Sequence, residues 1–135
     1  MIVHYIRTIR PDGLETFTVI PLPLSKERQR ARGFNQSSLI ARSVAEQLSL
    51  PYTENILHRT RHRPPQSETE DVEERKNNIR GCFAVAEGAG AVPAAGKNII
   101  VIDDVVTSGN TFNESARTLK DAGAQRILAV AVARA

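Results

Sequence analysis

"IIVIDDVVTSGNT", residues 99–111, runs from four apolar residues into two adjacent carboxylates and then into hydroxyls, a glycine and an amide. Ile99 to Ile102 read as a strand buried on both faces, the kind that parallel sheets use. Asp103 and Asp104 follow at once, where burying unpaired charge is costly. A ligand or partner is therefore expected where the apolar run stops. The strand is expected over 98–103, and a helix from about Asn110. In "TFNESARTLKDAG", Phe112, Ala116 and Leu119 share one helical face, and Gly123 suits the position just past a helix end. "RILAVAVARA", residues 126–135, then reads as a continuous apolar strand buried on both faces.

The same order recurs upstream. "FTVIPLPL", residues 17–24, starts as a β-branched strand that Pro21 and Pro23 stop. "FNQSSLIARSVAEQLSL" follows, with Asn35 or Ser37 as the helix cap and Ile40, Val44 and Leu48 recurring every four residues until Pro51. Residues 59–78 are polar, charged and interrupted by Pro64-Pro65, a long exposed loop with a helical turn near 70–77. "IRGCFAVA", residues 79–86, alternates like a strand, and "EGAGAVPAAGKN" reads as a surface turn. Strand–helix–strand units at front and back predict an α/β fold with a parallel sheet flanked by helices. At 135 residues without an internal repeat, a single domain spanning 1–135 is expected.

Composition narrows the function. A hydrophobic share of 41% with 24% charged residues is ordinary for a soluble globular chain, and no apolar run reaches membrane-spanning length. "MIVHYIRTIR" places charges where a signal peptide needs an apolar stretch, so a cytoplasmic protein is expected. Aromatics at 4%, with no Trp, weaken any base-stacking platform. Cys82 is the one cysteine, which excludes an internal disulfide and a multi-cysteine zinc site, and it reads as a small buried side chain. His58 and His62 are four apart but sit in "HRTRHRPP", a poor context for a metal helix, so no protein metal site is expected. The net charge of +3 is unevenly spread: "SKERQRARG" holds Lys26, Arg28, Arg30 and Arg32 against Glu27 alone. Such tracts are either solvated faces or contacts for an anion, whether a phosphorylated small molecule or nucleic acid.

A turn from Thr107 to Thr111 entering a helix N-terminus combines free amides, the hydroxyls of Thr107, Ser108 and Thr111, and the positive end of a helix dipole. Gly109 lets the backbone approach closely. This suits a phosphate, whereas carboxylates repel one. A ligand that satisfies both shows hydroxyls to the acids and phosphate to the turn, as a ribose 5-phosphate does. Rival readings fit less well. A Walker B strand needs a G-x4-G-K-[ST] loop, and "GAGAVPAAGKN" has the wrong spacing and precedes a strand. A response-regulator acidic pocket opens its domain, whereas here only about 30 residues follow the acids. The dinucleotide fingerprint G-x-G-x-x-G is absent.

"VIDDVVTSGNT" resembles the phosphoribosyl diphosphate (PRPP) signature of type I phosphoribosyltransferases. "VIPLPLSKERQRARGFNQSSLIA" and "RHRPPQSE…ERKNNIRGCFAV" resemble the ComF/GntX family, so the likeness covers roughly residues 17–135. Longer members of that family carry an N-terminal zinc ribbon that this sequence does not show, which points to a short form or to the transferase-like domain alone. Between "PPQ" and "ER" the sequence has one extra residue, and acids where relatives often have Leu.

The resemblance implies a type I phosphoribosyltransferase-like fold and displacement of pyrophosphate from PRPP by a nitrogen nucleophile, in the manner of amidophosphoribosyltransferases. It implies that Asp103 and Asp104 hold the ribose hydroxyls as the catalytic pair, and that Thr107, Ser108, Gly109, Asn110 and Thr111 bind the 5-phosphate. Pro21 to Leu24 would form the pyrophosphate loop, with Arg32 beside it. Arg75 and Arg80, in a closing loop, would neutralise pyrophosphate, while Gln66 and Asn78 tie that loop down. Mg²⁺ would arrive bound through PRPP, with little direct protein ligation. The acceptor stays open, and a homodimer is an expectation by analogy. The alternative reading is a non-catalytic PRPP-binding accessory protein of competence and DNA uptake, touching single-stranded DNA through residues 26–32.

Overall fold

A computed structural model describes residues 2–24, 26–60, 81–106 and 109–134, with the side chains of Lys26, Glu27 and Arg28 left aside. The elements are α1 (Ile2–Ile9), a 3-10 turn (Leu14–Thr16), β1 (Phe17–Pro21), α2 (Lys26–Arg32), α3 (Gln36–Leu48), β2 (Leu57–Arg59), β3 (Phe83–Val85), β4 (Asn98–Val106), α4 (Asn110–Asp121) and β5 (Arg126–Arg134). β4 is the central strand of a parallel sheet ordered β1-β4-β5. Beyond β1, Tyr52 forms a parallel bridge to Val19. β2 and β3 pair antiparallel as a separate small sheet.

The apolar run at 99–102 explains why β4 lies in the middle. Ile100 and Ile102 enter one core with Phe17 and Val19 of β1, Ala41, Val44 and Ala45 of α3, and Ile2, Val3 and Ile6 of α1. Ile99 and Val101 enter the opposite core with Ile20, Leu57, Phe83 and Leu119 of α4. All four β4 residues are fully buried, as a strand with a period of two must be when both its faces are covered.

Both crossover helices leave the carboxyl end of a strand and return toward its start, so the N-termini of α3 and α4 lie at the carboxyl end of the sheet. Pro21 closes β1 as the sequence predicts. The α3 cap is Asn35, whose side chain accepts from the Ser37 amide at 3.1 Å. The helix ends before Pro51, because Ser49 turns left-handed at φ 56° as its C-cap.

Several expectations are corrected. β4 does not stop at residue 103: it stays paired with β5 through Val106, so the acids lie within the strand, three and two residues short of its end. β5 is not buried on both faces. Among the described residues it is the sheet's edge, with Val130 its one buried residue, and its alanines at 129, 131 and 133 are small enough to tolerate either exposure or burial. The charged tract at 26–32 is helical, as α2. The N-terminal stretch forms α1, which the sequence reading did not foresee, although Ile2, Val3 and Ile6 are spaced for one buried helix face. The small-residue connection before β4 buries Ala94. Of the expected loop at 59–78, only Arg59 and Thr60 are described; the helical turn near 70–77 lies outside the described residues.

Gly123, just past α4, has φ +97°, and a Cβ there would meet Ala95 Cα and Cβ at 3.3 Å. Its carbonyl also accepts from the Gly96 amide at 2.8 Å, so this turn is packed against the approach to β4. Gly123→Ala is expected to cost about 1–3 kcal/mol through strained backbone and crowding. Urea unfolding checks this as a lower midpoint at unchanged slope.

Candidate functional site

The site is built from three connected pieces at the carboxyl end of the sheet. The exit of β1 is held first: the Leu22 amide donates to the Ile102 carbonyl at 2.8 Å, extending the ladder one residue past Pro21. The Leu22 carbonyl in turn accepts from Asn35 Nδ2 at 3.2 Å. Asn35 therefore caps α3 with its oxygen and ties the β1 exit to that helix with its nitrogen. Both halves of one amide side chain are used.

The acids come next. Asp103 Oδ1 accepts two hydrogen bonds of 2.8 Å, one from the Ser37 hydroxyl in the first turn of α3 and one from the Asp104 amide. Asp104 Oδ1 accepts from the Val105 amide at 2.9 Å. Both acids are half-buried. Burial pushes the Asp103 carboxyl above its ordinary range, and the neighbouring Asp104 adds to this, while the Ser37 hydrogen bond opposes it. The pair can thus accept hydrogen bonds from hydroxyls, with Asp103 held by the Ser37 hydroxyl and the Asp104 amide, and Asp104 by the Val105 amide.

The third piece is the start of α4. Gly109 is its N-cap, at φ 81°, and supplies no side chain to cap the amides of the first turn. No acid stands in that turn. Asn110 and Thr111 are its first helical residues, so Thr111 belongs to the helix rather than to the turn before it. The positive end of α4 follows the acids after residues 105–109, of which Thr107 and Ser108 lie outside the described residues.

Other predicted residues are placed less closely. Arg32 is exposed on the last turn of α2 and makes no hydrogen bond or ion pair with either acid. Pro21 is buried in β1, and Pro23 and Leu24 are half-buried after it. Arg75, Arg80, Gln66 and Asn78 lie outside the described residues. The segment that carries them has anchored flanks: the Thr60 amide donates to the Cys82 carbonyl at 2.7 Å, and the Thr60 hydroxyl donates to the Gly81 carbonyl at 2.6 Å. The Gly81 amide donates at 2.8 Å to Glu114, a buried acid of α4 that also pairs with Arg117.

Sequence reading missed Ser37 and Glu114 as site-supporting residues. A signal existed for Ser37, since it lies on the apolar stripe with Ala41 and Val44, where a hydroxyl needs a partner. Among the described residues no group of three His, Cys, Asp or Glu could hold a metal ion, and no helix is long and apolar enough to cross a membrane.

The raised carboxyl of Asp103 has a consequence for stability. A carboxyl whose folded value lies above its unfolded one contributes stability at low pH, and loses it as pH rises through the folded value. At neutral pH the ionised group therefore weighs against the fold. Asp103→Asn keeps an acceptor for Ser37 and removes the charge, so its melting temperature is expected to exceed that of the parent at pH 7 by a few degrees. The gap should close as pH falls below the ordinary carboxylate range, which thermal unfolding across pH would show.

Residues 35–135 match the family model described as "Phosphoribosyl transferase domain". The chain is 32% identical over 117 residues to competence protein F of Haemophilus influenzae, covering 87% of this chain and 50% of that protein. It is 28% identical over 128 residues to the DNA utilization protein YhgH of Escherichia coli K12, covering 94% of this chain and 54% of the relative. The chain thus spans about half the length of the curated relatives it matches. The fold resembles a crystal structure of adenine phosphoribosyltransferase at a TM-score of 0.59 and 15% identity, over 98% of this chain and 64% of that one. The chain belongs to the phosphoribosyl transferase domain family, within the type I, ComF-like group that its motifs resemble.

Proposed function

We propose that this domain binds Mg²⁺-PRPP at the carboxyl end of β4 and displaces pyrophosphate from it with a nitrogen nucleophile. The observation that carries this reading is the Asp103–Asp104 pair near the carboxyl end of β4, followed in the chain by the glycine-capped start of α4. Two carboxylates accept the ribose 2- and 3-hydroxyls, and the α4 amides with Thr111 receive the 5-phosphate. Thr107 and Ser108 contribute hydroxyls to the same phosphate, and Arg32, Arg75 and Arg80 supply positive charge to the pyrophosphate. Mg²⁺ would enter as part of the substrate, held by PRPP itself with little direct protein ligation.

In this reaction the bond between the anomeric carbon and the pyrophosphate oxygen breaks, and its electron pair leaves with pyrophosphate. A nitrogen lone pair then forms the new bond to that carbon, and the nitrogen loses a proton. Positive charge grows on the ribose ring in between. The fixed negative charge of Asp103 and Asp104 favours that cation without reorganising, because Asp103 is already held by two donors. The arginines favour the departing anion. Ammonia or a small amine is the simplest acceptor, as in amidophosphoribosyltransferases.

A second reading keeps the PRPP pocket and makes the domain an accessory of DNA uptake that contacts single-stranded DNA. The exposed arginines Arg30 and Arg32 of α2 favour it, as does the name of the DNA utilization relative. Affinity for single-stranded DNA that falls with salt, and is lost in Arg28→Ala/Arg30→Ala, would support this reading. Turnover of PRPP by the isolated domain would weigh against it.

Thermal unfolding with and without Mg²⁺-PRPP tests the pocket. At about 100 times Kd the ligand adds roughly 2.7 kcal/mol, which raises the melting temperature by several degrees in a domain of this size. The rise is expected in the parent and should be absent in Asp103→Asn/Asp104→Asn. A folded parent that shows no rise in millimolar PRPP would sink the assignment.

A further inference from the structure

We infer that Ser37 is a positioning residue for the acidic pair: its hydroxyl fixes Asp103 through Oδ1 and leaves Oδ2 as the oxygen that meets a ligand hydroxyl. This rests on the proposed PRPP reading for its ligand and on geometry alone for its contact.

Ser37 is 2% exposed, so its hydroxyl has no water to turn to. It sits in the first turn of α3, with its own amide held by the Asn35 cap, so its backbone is fixed by the helix start. From there its hydroxyl donates to Asp103 Oδ1 across a separation of 66 residues. The Asp104 amide donates to the same oxygen. Oδ1 is then saturated by two donors of different origin, one from the neighbouring element and one from the strand itself. Two bonds that converge on one oxygen set both the position of the carboxylate and its rotation, which one bond would leave free. Neither of these donors uses Oδ2, so it is the oxygen left for an incoming donor.

The two acids therefore divide the work. Asp103 is held by donors from two elements, and Asp104 accepts from its neighbour's amide within its own strand. Among the described residues, Asp104 is the one ionisable group that acts on Asp103. Losing the Ser37 donor would therefore make Asp103 harder to ionise, with no second charge to oppose the change.

Carboxyl-carbon NMR titration of Asp103, made in an Asp104→Asn background to separate the pair, reads the contact without any ligand. Ser37→Ala is expected to move the Asp103 midpoint upward, and Ser37→Thr, which keeps the hydroxyl, to leave it near the parent value. An unmoved midpoint in a folded Ser37→Ala overturns the inference whatever PRPP does. The second measurement is Mg²⁺-PRPP affinity across pH in the chain with both acids intact. Ser37→Ala should weaken it roughly tenfold near neutral pH, the loss of one hydrogen bond to a charged group, and by more at acidic pH. Affinity unchanged at every pH, alongside a lower melting temperature, would assign Ser37 a structural role only and overturn the inference. If Ser37→Ala does not fold, Ser37→Cys keeps the bulk with a weaker donor and is read in the same way. A parent that does not bind PRPP removes the ligand reading, and the titration still decides whether Ser37 sets Asp103.

Discussion

A carboxylate placed one residue past a doubly covered strand segment must be solvated by the protein itself, and the rest of the site is arranged around that need. Ile99 to Ile102 are fully buried because β4 has α1 and α3 on one face and α4 with the small β2–β3 sheet on the other. Water thins toward Asp103 before the strand ends, since pairing with β5 continues to Val106. The desolvation that results is the first cause of the raised carboxyl. It is offset by donors that the fold already holds in place, the Ser37 hydroxyl and the Asp104 amide. A helix start next to the acids is therefore needed for their solvation, before any question of catalysis arises.

The two helix N-termini at this end of the sheet are finished in opposite ways. α3 is closed by its own sequence: Asn35 takes the Ser37 amide, and the same side chain ties down Leu22. Its capping need is met internally, and what it offers the site is a hydroxyl at a fixed position. α4 begins at a left-handed glycine with no side-chain cap and no acid in its first turn. Gly109 does not supply the usual internal answer, an Asp or Ser cap. One helix start holds a charge of the protein, and under the proposed PRPP reading the other would receive the ligand's phosphate.

Most of this was legible where periodicity is strong. The β4 run, the stop at Pro21, the α3 stripe and the α4 face all follow from spacing, and each is found where the pattern puts it. Legibility failed where a residue's role depends on a distant partner. The apolar stripe of α3 shows that the Ser37 hydroxyl needs a partner, but nothing local says that the partner is Asp103, 66 residues away. The run in β5 failed for another reason: alanine is buried or exposed with little energetic difference, so an apolar stretch rich in it does not report its own position. In α1 the charges obscured a helix whose buried face is only Ile2, Val3 and Ile6. The acids were placed at the strand's end because polarity changes there, yet backbone pairing ignores side-chain polarity and runs on to Val106.

Holding Asp103 ionised against its burial costs stability at neutral pH, and that cost is informative about function. A site with only structural demands would be served as well by Asn, which accepts the same two donors without a charge to desolvate. Retaining the charge is useful when something with excess hydrogen-bond donors or developing positive charge has to be met there. Under the proposed PRPP reading, ribose hydroxyls would supply the first and a ring losing its leaving group the second, so one carboxylate would serve binding and the reaction alike. Because its donors are fixed before the ligand arrives, little of the ligand's binding energy is spent on orienting the acid. In the proposed reaction, the stability forgone at Asp103 would be returned as preorganisation at the step where charge develops.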